Sequence, residues 1–276
     1  MELKIKVSII TVCYEDPKGL EKTCESLKPL LINDVDWEHI VVDSSPESHK
    51  SIFQQLPNGW PLVKIETPPR GIYSAQNQGA KAAHGDVLWF LNSGDGLHSV
   101  EVLKNALALF TKPGGPDLVY GSTDLYRHGN YLYSVQPYRN FLRNLLGSNH
   151  ICHQSVLYRR TTFEKVGAFS TNFALAADYE HFYRCYINKI STGRIGGSLS
   201  QFDMTGNSSN YLGVFKEYRI IQKLSAKQLS FPMGPLNSFF WIYAYSRIRL
   251  IKLLANSPLS TVLRPLWLFL KRGHRL

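Results

Sequence analysis

The sequence predicts an α/β fold: a mixed, mostly parallel central sheet flanked by helices, with a helical extension at the C-terminus. Three observations carry this reading. Val- and Ile-rich runs that end in polar residues alternate with segments of helical periodicity. The composition is that of an ordinary globular chain, 44% hydrophobic and 19% charged over 276 residues. The basic excess is confined to one end.

The elements follow in order. "KVSIITVCY" (6–14) and "EHIVVDSS" (38–45) read as buried strands. Between them "DPKGLEKTCESLKPLL" sets Leu20, Cys24, Leu27, Leu30 and Leu31 at helical spacing. "LVKIETP" (62–68) is a short third strand, and "GIYSAQNQGAKAAHG" (71–85) a helix closed by Gly85 as its C′ residue. "DVLWFLNSGD" (86–95) is the fourth strand and "SVEVLKNALALF" (99–110) the next helix. Beyond residue 115 the pattern loosens. "DLVYGSTDLYRHGNYLYSVQP" (117–137) predicts short antiparallel strands around a turn at His128 to Asn130. "NHICHQSVLYRRTTFEKVGAF" (149–169) predicts a strand and a short helix. "AADYEHFYRCYINK" (176–189) predicts an amphipathic helix whose first-turn acids complement its dipole.

Composition narrows the function. The opening "MELKIKVSIITV" lacks the charged, apolar and small-residue sections of a secretory signal, so a cytoplasmic protein is expected. Cys13, Cys24, Cys152 and Cys185 show neither CxxC pairing nor clustering with His, and read as reduced thiols. The net charge is +10, and residues 211–276 account for all of it, with 11 Lys or Arg against one acid, Glu217. Two regions follow: 1–210, a balanced catalytic-type domain, and 211–276, a basic, apolar helical extension. The longest uncharged run of that extension, Gln228 to Ser246, contains Pro232, Gly234, Pro235 and Asn237, which disfavours a spanning helix. Segments 239–255 and 259–272 mix Trp241, Trp267 and aliphatics with cations, as helices lying on an anionic membrane surface do. A packed extension or dimer contact is the alternative. Nucleic acid is disfavoured, because the cations accompany bulky aliphatics rather than polar loops.

In open α/β sheets ligands sit beyond the carboxyl ends of the strands. Three such ends carry candidates: Thr11 to Tyr14, Asp43, and Asn92 to Asp95. Their residue types alone leave structural roles open. Asp43 can make an Asx-turn, and Asp95 and Asp178 can cap the helices that follow them.

The ordered set "VSIITVCY", "VVDSS", "RGIYSAQNQG", "WFLNSGD", "ICHQSVLYRR" and "AADYEHFYR" resembles the family 2 nucleotide-sugar glycosyltransferases of bacterial polysaccharide biosynthesis, with the GT-A fold, over roughly residues 5–210. The resemblance implies a nucleotide-sugar site built from Thr11, Val12, Tyr14, Asp43, Arg70, Asn77, Asn92 and Ser93, with Asp43 bonding the base. It implies Mn²⁺ or Mg²⁺ at Asp95, although Asn92 and Gly94 stand where the family often has acids. Asp178 falls at the position of the catalytic base, with Glu180 as the alternative carboxylate, and His153 and Gln154 on the acceptor side. The implied activity is inverting transfer of one hexosyl or N-acetylhexosaminyl unit, with a UDP-sugar the expected donor and a lipid-linked or growing glycan the acceptor. The enzyme would be peripheral on the inner face of the cell membrane. A nucleotidyltransferase and a non-catalytic binding subunit are the competing readings.

Overall fold

Strand β1 (Lys6–Cys13) is central, with β2 (Asp36–Asp43) and β4 (Val87–Phe90) parallel to it on either side. The structure, a computed structural model, describes residues 5–127, 129–139, 141–145, 151–204 and 211–228. The chain divides into two compact units, Met1–Ser225 and Ala226–Leu276, and the described residues lie almost wholly in the first. The expected membrane-surface segments 239–255 and 259–272 lie outside the described residues.

Alternation along each strand decides the two faces of the sheet. Ile10, Val12, Ile40, Val42, Leu88 and Phe90 pack on one face, under α3 (Ile72–Ala82), α5 (Arg160–Val166) and α6 (Ala177–Ile187). Val7, Ile9, Val41, Trp89 and Leu91 pack on the other, under α1 (Pro17–Leu27) and α4 (Val100–Thr111). Helix α2 (Pro46–Gln54) follows β2, and β3 (Leu62–Glu66) extends the sheet beyond it. Past β4 come β8 (Val156–Arg159) and β6 (Leu118–Arg127), then β9 (Thr192–Asp203) and the two-residue β5 (Gly96–Leu97). Strand β7 (Asn130–Val135) pairs antiparallel with β6, forming the expected hairpin. The longest ladders, β1–β2 and β6–β9, are parallel. Helix α7 (Tyr211–Gln228) ends the described chain.

One expectation needs correction. Helix α3 stops at Ala82, and Gly85 is not its cap. A Cβ on Gly85 would lie 2.6 Å from Ser8 Oγ and 2.7 Å from the Ser8 main-chain nitrogen, so this glycine serves a close approach to β1. Helix α6 forms where expected, with Asp178 and Glu180 in its first turn. It buries Tyr179, His181, Phe182, Tyr183 and Cys185, and Tyr218 and Gln222 of α7 meet Tyr179.

Candidate active site

The strand ends at Cys13, Asp43 and Leu91 gather at one edge of the parallel half of the sheet. The chain leaves β4 through a turn in which Asp95 N–H bonds the Asn92 carbonyl at 3.0 Å, with Gly94 at φ +89°. A positive φ at the third turn residue is what a type II turn requires, and glycine supplies it without strain. The turn carries Asp95 inward, to 3% exposure. Burial pushes its carboxyl up to about 7, against the opposing pull of the His153 charge, the Gln154 side chain and the Asn92 main chain. Among the described residues Asp95 forms no ion pair. A buried carboxylate at a strand end, its burial only partly offset by His153, Gln154 and Asn92, fits a cation site, with Asn92 and Ser93 beside it.

A short 3-10 turn, His153–Ser155, joins this turn to α6. Trp89 Nε1 donates to the Gln154 carbonyl at 2.7 Å, and the Ser155 hydroxyl bonds Thr123, Ser200 and the Ser122 carbonyl, each at 2.7 Å. These contacts fix His153. Its Nε2 faces Asn92 Nδ2 at 3.1 Å, and its Nδ1 faces Asp178 Oδ2 at 3.5 Å. Tyr73 donates its hydroxyl to Asp178 Oδ1 at 3.0 Å, and Tyr179 donates its N–H to the same oxygen at 2.9 Å. Burial alone would raise Asp178. The His153 hydrogen bond and charge, the Tyr179 N–H and the Tyr73 hydroxyl outweigh it and hold the carboxyl below its ordinary value. For His153 burial pulls the ring down, but Asp178 and then Asp95 lift it above the ordinary imidazole value. At 18% exposure Asp178 keeps an opening to a reactant. Glu180 is not equivalent, because Arg184 grips both its oxygens at 2.9–3.1 Å.

A second cluster forms where β1 and β2 end. Asp43 Oδ1 accepts the Ser45 N–H at 2.9 Å, which is the Asx contact, and His49 Nδ1 at 2.8 Å. His49 Nε2 accepts the Asp16 N–H at 3.3 Å, which assigns the ring's proton to Nδ1. Asp43 Oδ2 is buried without a hydrogen-bond partner among the described residues. Its neighbour is the Cys13 thiol, a weak donor that burial, then the Asp43 charge, keeps protonated. Ligand atoms of Cys13, Asp43 and His49 lie within 4.8 Å of one another, a group apart from the Asp95 turn. Tyr14, next to it, is 53% exposed.

The structure thus brings Asn92, Asp95, His153, Gln154 and Asp178 into one site, with Asp43 and Tyr14 at the neighbouring strand ends. Other predicted residues are engaged elsewhere. The Thr11 hydroxyl is buried, donating to the Leu91 carbonyl at 2.7 Å and accepting from His39 Nε2 at 2.9 Å, since His39 Nδ1 accepts from Trp60. Val12 is buried and accepts the Ser93 N–H through its carbonyl. The Asn77 amide clamps both main-chain groups of Phe169, at 2.8 and 2.9 Å. Ser93 Oγ donates to Asp16 Oδ2 at 2.8 Å, and Arg70 is exposed beside the start of α3. Sequence reasoning missed Tyr73, Gln76 and His49. Gln76 Nε2 donates to Asn92 Oδ1 at 2.8 Å. Tyr73 and Gln76 stand three residues apart on one helix, a spacing that could have marked them as a shared face.

This sheet, with an acid at the turn after its fourth strand and a second at the start of a late helix, defines a GT-A type transferase fold. The model of the family described as "Glycosyl transferase family 2" matches residues 8–167, more than half of the chain, and the chain belongs to that family. A "PGL/p-HBAD biosynthesis glycosyltransferase" of Mycobacterium bovis is 30% identical over 187 residues, 66% of this chain and 71% of the relative. An uncharacterized glycosyltransferase of Mycobacterium tuberculosis is 28% identical over 212 residues, 74% of this chain and 77% of the relative. Among solved structures, S. aureus TarS 1-349 in complex with UDP-GlcNAc superposes with a TM-score of 0.62 at 19% identity, over 80% of this chain and 66% of that one. TarS 1-349 in complex with UDP gives 0.59 at 17%, over 79% and 65%. The chain therefore spans just under two thirds of the TarS structures it matches. Family membership sets the nucleotidyltransferase reading aside.

Proposed function

We propose that this family 2 glycosyltransferase transfers one hexosyl or N-acetylhexosaminyl unit, with inversion, from a UDP-sugar to a lipid-linked or growing glycan acceptor. The observation that carries the reading is the Asp178 carboxylate. It stands at a helix start, held ionised by His153 and Tyr73, partly open, and coupled through His153 to the Asp95 turn. Asp178 takes the proton of the acceptor hydroxyl as that oxygen attacks the anomeric carbon from the side opposite the diphosphate. The bond from that carbon to the phosphate oxygen breaks, and the diphosphate leaves with the electron pair. His153 balances the charge of Asp178 before transfer and keeps its carboxylate aimed.

The donor lies across the strand ends in this reading. Asp43 Oδ2, buried and without a hydrogen-bond partner among the described residues, accepts an N–H of the base, while Tyr14 stacks on it and Arg70 reaches the phosphates. Asp95 would hold Mg²⁺ or Mn²⁺, as the family generally uses a divalent metal, with Asn92 or Ser93 bonding the ribose or phosphates. When bound, such an ion neutralises charge developing on the leaving diphosphate. Support for UDP comes from the TarS structures with UDP and UDP-GlcNAc on the same fold, and support for a glycan pathway from the biosynthetic relative. No helix among the described residues is long and apolar enough to cross a membrane. The basic, apolar part of residues 211–276 would hold the enzyme at the inner membrane face, beside an acceptor that cannot leave the bilayer.

Calorimetric titration of UDP, GDP and CMP, with and without Mn²⁺, into wild type and Asp95→Ala tests the donor site. The expected result is Mn²⁺-dependent binding of UDP that the substitution abolishes. Folded wild-type protein that binds no nucleotide would contradict the reading and favour the non-catalytic subunit.

A further inference from the structure

Helix α6 begins without a cap of its own. Its N-cap is Ala176, which makes no side-chain hydrogen bond, and Ala174 and Leu175 before it also lack polar side chains. The N–H groups at such a helix entry need acceptors from elsewhere. One carboxylate supplies them for the three residues that lead into the helix, while the Tyr179 N–H of the first turn goes to Asp178. Glu217 of α7 accepts the N–H groups of Ala174, Leu175 and Ala176 at 3.0, 2.9 and 2.9 Å, across 41 to 43 residues of chain. Asp178 lies two residues beyond the last of these.

The same helix grips the other side of Asp178. Tyr218 packs its ring on that of Tyr179, with centroids 4.1 Å apart, and Gln222 Nε2 donates to the Tyr179 hydroxyl at 3.0 Å. Tyr179 in turn donates its N–H to Asp178 Oδ1. Asp178 is thus flanked on both chain sides by residues anchored to α7. Glu217 is the only acid in residues 211–276, and both its oxygens accept main-chain amides. Nothing else described in α7 offers three N–H groups an acceptor at that place.

We propose that Glu217 is a positioning residue for the base Asp178, and that α7 is therefore part of the active-site scaffold rather than an appendage to it. The inference rests on the reading of Asp178 as the base. Without Glu217 the chain entering α6 loses its fixed path, and the Asp178 carboxylate drifts from the place set by Tyr73 and His153. Among the described residues no hydrogen bond or ion pair joins Tyr14, Asp43, Ser93 or Asp95 to α6 or α7, so donor affinity should be untouched. A shift of about 1 Å in a reacting group can cost about 10²-fold in rate, which sets the scale of the effect.

The test compares wild type, Glu217→Ala, Glu217→Gln and Asp178→Asn as full chains. UDP release from UDP-glucose, UDP-galactose and UDP-GlcNAc is followed with water as acceptor, alongside amide hydrogen exchange of the 174–179 peptide. For Glu217→Ala the expected kcat falls about 10- to 100-fold, the donor KM stays within about twofold of wild type, and exchange quickens in the 174–179 peptide alone. Glu217→Gln, which keeps one accepting oxygen, should fall between the two, and it serves if the alanine variant does not fold. Folded glutamate variants with wild-type kcat, beside an inactive Asp178→Asn, would overturn the positioning role and leave the base assignment standing. A loss spread over kcat, KM and exchange throughout the chain would also overturn it, since that marks general destabilisation. Asp178→Asn as active as wild type, or a wild type that releases UDP from none of the three donors, would overturn the base reading and this inference with it.

Discussion

Asp95 and Asp178 are both carboxylates drawn out of water at the junction of two elements, and they titrate in opposite directions. Around Asp95 burial dominates, and its carboxyl rises to about 7. Around Asp178 burial is just as real, but an imidazole, a phenol hydroxyl and a helix N–H turn the balance the other way. At the turn the pull of the His153 charge and of the Gln154 side chain does not offset burial, which suits a group that gains from a bound cation. The helix start supplies fixed partners and an opening, which suits a group that must be ionised before each turnover. Two like groups kept apart in pKa by their surroundings is how one fold assigns two jobs.

Substitutions can break this contrast, and the largest effect belongs to the helix start. Asp178→Asn should lower kcat by about 10³-fold, within the range of a lost general base, while donor KM changes by less than about threefold. Next is the turn. Asp95→Asn should weaken Mn²⁺-dependent UDP binding by about 10²-fold in calorimetry, and it should stabilise the metal-free protein at pH 8. Asp95 binds its proton more tightly folded than unfolded, so the stability that proton confers is present at low pH and is lost as pH rises through about 7. The asparagine keeps the neutral form at every pH. A gain in denaturant unfolding of roughly 4 kcal/mol at pH 8, shrinking to roughly 2 kcal/mol at pH 5 and vanishing only below the ordinary carboxylate value of 3.8, is the expected signature. The same proton should make Mn²⁺ affinity fall about tenfold per pH unit below about 7 and level off above it.

The link between the two regions gives smaller effects. His153→Ala removes the main influence that lowers Asp178 and leaves burial, which raises it. With Mn²⁺ and donor kept saturating at each pH, wild type should therefore hold its kcat to lower pH, whereas the variant should lose kcat as pH falls through a higher value. The expected displacement of that acid limb is about one pH unit, with roughly tenfold lower kcat at pH 7. Tyr73→Phe deletes a single hydrogen bond to Asp178 and should cost kcat about threefold to tenfold, with about 1 kcal/mol in stability. An acid limb that stayed put in both variants would show that Asp178 does not set it.

The first half of the fold was legible because its elements advertise themselves. Strands β1 to β4 are apolar runs ending in polar residues, and α1, α3 and α4 follow by periodicity. Helix α2 was missed. The stretch "PESHKSIFQ" was assigned no element, although Pro46 at its first position and the half-buried Ile52 and Phe53 mark a helix. Strand β9 was missed because "TGRIGGSLSQFD" is rich in glycine and lacks alternation, and its place is decided by distant pairing with β6.

The site divides in the same way. Asp43, Asp95 and Asp178 stand at element ends, where local sequence announces them. Tyr73, Gln76 and His49 act through contacts with other segments, which no local pattern records. Glu217 is the extreme case, since its partners are main-chain amides of an Ala-Leu-Ala stretch that has no side-chain signature at all. Thr11 and Asn77 looked available for a ligand, yet their polar groups are turned to Leu91, His39 and Phe169.

The most direct measurement is to follow UDP affinity and UDP release on Asp178→Asn and Asp95→Asn side by side, at pH 7.5 with Mn²⁺ present. The account predicts a crossed result: Asp178→Asn binds UDP as wild type does but has lost turnover, and Asp95→Asn has lost the binding itself. Equal loss of binding in both, or turnover surviving in Asp178→Asn, would contradict the division of labour between the two carboxylates.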